Sequence, residues 1–150
     1  MTMVPGWHPM IVHFPLALGV TSALLLTAAR LARRERYVSI LAMVGTWNLC
    51  LGAITALFAL ATGLAASLGL DVGAAAHQAI SSHLKWAAVT TLLLVLLAVW
   101  RGAGSAQDAR PSRSFIAVLL MMAAALIVTG YRGGQNVYRF GVGVTEASSR

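Results

Sequence analysis

From Leu16 to Ala29 this chain carries no charged side chain, and further stretches of the same kind follow it. Runs of about 18 or more such residues read as membrane helices, because a backbone in hydrocarbon must satisfy its own hydrogen bonds and a helix does so within one segment. Spans are expected at about residues 9–29, 39–68, 83–100 and 114–130, with a tail at 131–150. The second is longer than a bilayer needs, so it tilts or emerges above the surface. The fold class expected is an all-α membrane protein, a four-transmembrane-helix up-and-down bundle in a single domain covering residues 1–150. Only 10% of the residues are charged, against about 25% in soluble domains, which supports the same reading.

The connections differ in character. Residues 30–36 and 101–113 hold Arg30, Arg33, Arg34, Arg36, Arg101, Arg110 and Arg113, whereas residues 71–82 form a polar, Ala-rich link containing His77. By the positive-inside rule the arginine loops are cytoplasmic and both termini lie on the opposite side, periplasmic in a bacterial inner membrane. Trp7, Trp86 and Tyr131 then fall at the outer boundary, and Tyr37 and Trp100 at the inner one. No basic region precedes the first apolar run, so that run is expected to stay as a span rather than be removed as a signal peptide. The net charge of +7 is carried by topology signals that can meet anionic lipid head groups, and nucleic-acid binding is not expected.

Small residues at Gly52 and Ala56, at Ala59 and Gly63, and at Ala123, Ala125 and Gly130 are spaced to let helix backbones approach closely. Cys50 has no partner cysteine and reads as a packing residue, as the six methionines do.

The chemistry is concentrated in histidine. Spans one and three enter from the same side, which brings His8, His13, His77 and His83 to one leaflet. His8 and His77 lie near water, and His13 and His83 about 8 Å deeper at helical rise, so the latter two are expected to face each other across the bundle. Pro9 suits a first helical turn, and Pro15 either starts or kinks the main helix, placing His13 where the backbone is irregular. An imidazole oriented by a carbonyl is a good ligand for haem iron, copper or zinc. Haem b suits two histidines from facing helices in an apolar interior, with Lys85, Arg132 and Arg139 available to its propionates. A copper or zinc site comes second, because no cysteine joins the cluster and the outer acids Asp71 and Glu146 look like loop residues. A plain alternative makes the histidines interfacial hydrogen-bonding residues and the chain a cofactor-free accessory subunit of a larger membrane complex. There is no nucleophile–base pair, phosphate loop or metalloprotease motif, so no autonomous enzyme is expected. No acid or histidine lies in the inner half of a span, which argues against a pump. Alternating apolar residues between Val137 and Val144 suggest a short extended segment over the histidines.

The motif HPMIVHFP at residues 8–15, His83 ahead of Trp86, and GGQNVYRFGVGV at residues 133–144 together resemble a bacterial membrane-protein family, that of domain of unknown function 2231. The resemblance covers most of the chain. It implies a four-span inner-membrane protein whose histidines are haem or metal ligands, found with respiratory or periplasmic redox partners. Carried over by position, it points to His8, His13 and His83, and in the tail to Gly133, Gly134, Tyr138, Gly141 and Gly143. It assigns nothing to His77.

Overall fold

The computed structural model describes residues 7–68, 70, 72–104 and 110–143. Among these the secondary structure is helical throughout: α1 Trp7–Ile11, α2 His13–Leu31, α3 Glu35–Ser67, α4 Ala74–Ala103 and α5 Arg113–Tyr138. The α1–α2 unit and the three helices after it are each long and apolar enough to cross a membrane. Helices adjacent in the chain pack side by side, α5 closes back on α2, and α1 rests on α3. This is the four-span up-and-down bundle.

Its exterior is apolar. Leu24, Trp47, Phe58, Leu92, Met121 and Ile127 are all exposed, which for a chain of this composition is the face presented to lipid. The interior is made of small residues and leucines. Along α3, Ala42, Gly45, Gly52, Ala56, Ala59 and Gly63 are buried, and a Cβ placed on Gly45 would come within 2.8 Å of Leu26 Cγ. That approach of α2 to α3 is the close backbone packing small residues permit in membranes. Leu26, Leu49, Leu94, Leu119 and Met122 fill what remains. Hydroxyls of Thr46, Thr55 and Thr62 donate to carbonyls of their own helix, three or four residues back.

The arginine end is tied by specific groups. Arg110 Nη1 donates to the carbonyls of Arg30 at 3.0 Å and Ala32 at 2.8 Å, where α2 ends, and its Nη2 pairs with Glu35 Oε1 at 2.9 Å. One guanidinium thus supplies donors to carbonyls left open by a helix C-terminus. Ser112 caps α5 by accepting from Phe115 N at 3.1 Å, and Trp100 meets Phe115 edge to face.

The helices outrun the expected spans. α4 begins at Ala74, so most of the polar stretch 71–82 is helical and His77 lies on a helix. Hydropathy marks the thickness of lipid, whereas alanines at 74, 75, 76 and 79 carry the helix on past it. α5 likewise continues to Tyr138 through Gly133 and Gly134. The extended segment expected at Val137–Val144 is not there among the described residues: Val137 and Tyr138 end α5, and the chain then turns. Gly141, at φ +64°, donates its N–H to Val137 O at 3.0 Å, the left-handed cap for which glycine is suited. Of the two roles expected for Pro15, the structure shows the first: it lies in the first turn of α2, where backbone N–H groups have no helical partner, and the chain stays helical through Val12, whose N–H donates to His8 O at 3.1 Å.

Candidate functional site

At the end opposite the arginines the four spans do not close on one another. They leave a cavity of about 600 Å³ whose walls are largely apolar, with Leu16, Leu60, Leu84 and Leu126 among them, and which also takes in His8, His13 and His83.

Two of these imidazoles are held in the same way. His8, on α1, lies against α3: its Nδ1 is 3.1 Å from Thr62 Oγ1, and a Cβ on Gly63 would sit 2.8 Å from its Cε1. His83, on α4, lies against α5: its Nδ1 is 3.2 Å from the Thr129 carbonyl, and a Cβ on Gly133 would sit 3.1 Å from its Cε1. Each ring therefore packs over a glycine of the following span and gives one nitrogen to a threonine of that span. The partners set the tautomers. A carbonyl only accepts, so His83 Nδ1 carries the proton. The Thr62 hydrogen is directed at the carbonyls of Phe58 and Ala59, so Thr62 offers His8 a lone pair and His8 Nδ1 is the donor there too. In the neutral form of each ring this leaves Nε2 as the acceptor, the arrangement that fits an imidazole for a metal.

Thr129 is itself fixed. Its hydroxyl donates to Ala125 O at 2.8 Å and lies 2.9 Å from Thr90 Oγ1, which must then be the donor between them.

The remaining expected residues are placed differently. His13 reaches the cavity margin but is exposed, and it makes no hydrogen bond among the described residues. The imidazole held in the same way as His83 is His8, because α1 rests on α3 and seats His8 on Gly63. His77 and Lys85 are exposed and share a separate shallow groove on α4 with Gln78 and Ser81. Arg132 donates to Ser82 Oγ at 2.7 Å and lies over the Trp86 ring; Arg139 lies over Phe140. None of Lys85, Arg132 and Arg139 lines the cavity. Gly133, Gly134, Tyr138 and Gly143 do, and Gly141 makes the turn that ends α5. Asp71 and Glu146 lie outside the described residues. Thr62, Gly63, Thr129 and Asn136 are the site residues that sequence reasoning missed; threonine or glycine one span downstream of a histidine was the only signal.

The donor set discriminates between metals. Zinc held by protein takes about four side-chain ligands in structural sites and about three in catalytic ones, and among the described residues no three His, Cys, Asp or Glu side chains converge. Haem iron takes four nitrogens from its own macrocycle and asks the protein for at most two, so a pair of imidazoles bordering an apolar cavity fits it.

A family described as a predicted membrane protein, DUF2231, matches the chain over residues 5–146. No curated protein and no solved structure gives a significant match.

Proposed function

We propose, taking as premise that this chain belongs to the DUF2231 family of predicted membrane proteins, that it is a small b-type cytochrome of the bacterial inner membrane, exchanging electrons with a membrane or periplasmic redox partner. The observation that carries this reading is the matched pair His8 and His83, each with Nδ1 engaged and Nε2 left as an acceptor beside one apolar cavity. These two residues would hold the haem through Nε2. Bound there, the haem supplies reversible one-electron chemistry.

The chain's own contribution is orientation and exclusion. Thr62 and the Thr129 carbonyl fix the tautomer and angle of each ring, as partners behind metal-bound histidines do. Leu60, Leu84 and Leu126 keep the surroundings apolar, which favours the less charged, reduced state of an iron centre. In this reading the basic loops face the cytoplasm, so the cavity and both termini lie on the opposite side. His13, at the margin, has no ligand role in this reading.

The test is a visible spectrum. The full chain, expressed with haem supplied and purified in mild detergent, should show a Soret band and, on reduction, the sharp α-band of a six-coordinate bis-histidine haem. A colourless protein under those conditions overturns the reading and leaves the accessory-subunit role in its place.

A further inference from the structure

Asn136 lies on α5 three residues beyond Gly133 and is 8% exposed. Its side-chain Oδ1 is buried with no hydrogen-bond partner. Its backbone is not free to relieve this, since its carbonyl accepts from Val142 N at 2.9 Å across the turn at Gly141. A buried polar atom without a partner is costly, and native chains keep few of them without a use. Two other atoms share this state, Ser22 Oγ and Thr27 Oγ1, but Asn136 alone of the three borders the cavity that holds His8 and His83.

We infer that Asn136 is the polar anchor of the cavity's ligand, its Oδ1 accepting from the O–H of a protonated carboxyl group on the edge of an otherwise apolar, planar molecule. The placement supports this. At helical rise Asn136 is about 4.5 Å further along α5 than the Gly133 that supports His83, on the side where α5 leaves the bundle. A ligand whose centre lies level with the imidazoles presents its outer edge there. An amide offers both a donor and an acceptor, which is what a protonated carboxyl group takes, and an apolar cavity favours that neutral form. The basic residues Lys85, Arg132 and Arg139 lie outside the cavity, so a carboxyl group inside it has no cation to hold it ionised and meets Asn136 as the neutral acid. This assignment rests on the haem reading for the identity of the ligand, and on Asn136 itself for the contact.

The experiment uses the full chain in detergent, free of haem, with Asn136→Leu, Asn136→Ala and the control Ser22→Ala. Hemin is titrated in and the Soret band followed; the melting temperature of the haem-free protein is measured in parallel. Losing one hydrogen bond to the ligand should weaken hemin binding about tenfold in both Asn136 variants, with the bis-histidine spectrum retained. Removing an unpaired buried polar group should leave the haem-free Asn136→Leu protein as stable as the parent or more so. Ser22→Ala should be equally well tolerated and bind hemin as the parent does. Unchanged hemin affinity in the Asn136 variants overturns the inference, and so does a lowered melting temperature in both, which would make Asn136 a structural group. Should the parent take up no hemin, the haem reading falls by itself. The melting temperatures still decide Asn136: a rise in Asn136→Leu supports a group held in reserve for another ligand, and a fall in both variants refutes it.

Discussion

Gly63→Ala is the most informative single change, because its effect can be worked from one distance. The new methyl would fall 2.8 Å from His8 Cε1, whereas carbon atoms in contact prefer about 3.5–4.0 Å. The ring must therefore retreat by about 0.7–1.2 Å. His8 Nδ1 is already 3.1 Å from Thr62 Oγ1, so a retreat of that size carries the pair beyond hydrogen-bonding distance. Losing the bond costs about 1 kcal/mol and the overpacking another 1–3 kcal/mol. Alanine in place of a helical glycine returns about 0.5–1 kcal/mol. The net expectation is a loss of about 1–3 kcal/mol in stability, together with loss of the orientation that His8 has for a ligand.

The same arithmetic gives two comparisons on α5. At Gly133 the methyl would be 3.1 Å from His83 Cε1, and at Gly130 it would be 3.8 Å from Leu16 Cδ1, an ordinary contact. Thermal melts and hemin titrations of the three alanine variants should therefore rank Gly130→Ala as neutral or stabilising, Gly133→Ala as intermediate and Gly63→Ala as most impaired. If Gly63→Ala melts and binds hemin as Gly130→Ala does, His8 is not seated on α3 and the reasoning fails at its first step.

Further outcomes are expected from the same assays. His8→Ala and His83→Ala should each abolish the six-coordinate spectrum, while His13→Ala keeps it; loss of the spectrum in His13→Ala alone would exchange the roles of His8 and His13. Thr62→Val removes the acceptor behind His8 and should weaken hemin binding by about 10-fold or more, in the range seen for groups behind metal ligands. Thr129→Val keeps the carbonyl that His83 uses and strands only the Thr90 hydroxyl, so it should cost about 1 kcal/mol in a thermal melt and leave the spectrum unaltered. Arg110→Ala opens two carbonyls at the end of α2 and should lower stability by about 1–3 kcal/mol. Glu35→Gln should change little, because Glu35 is 80% exposed and such pairs contribute about 0–1 kcal/mol.

The bundle was legible because hydropathy and helix length are set by the same bilayer. The small residues of α3 were legible too, since Gly52, Ala56, Ala59 and Gly63 recur at the spacing of one buried helix face. Helix ends were less so. The alanines before His77 carry no apolar signal strong enough to mark a span, yet they continue α4 back to Ala74. That His8 rather than His13 is seated against the next span was not legible: depth alone favours His13, and only the packing of α1 on α3 puts His8 over Gly63. Nor was Asn136, because an asparagine in a glycine-rich tail reads as a turn residue until α5 is seen to run through it.

What joins the two halves of the site is a device used twice. In each case a histidine at the start of an odd-numbered span packs over a glycine of the next span and donates Nδ1 to a threonine there, Thr62 with Gly63 for His8 and Thr129 with Gly133 for His83. The threonines use different atoms, a hydroxyl in one and a carbonyl in the other, so the likeness lies in the geometry rather than in the spacing along the chain. Both hairpins enter from the same side, and closing α5 on α2 sets them face to face. Two rings held by the same rule on opposing hairpins then border a single cavity with their acceptor nitrogens unclaimed. Swapping the support is thus a sharper probe than removing a ring: in the double variant Gly63→Ala with Gly133→Ala, each half is perturbed while all four histidines remain. Its hemin affinity should fall by more than either single variant's, because both imidazoles are displaced, and equal losses in the single and double variants would mean that only one of the two rings meets the ligand.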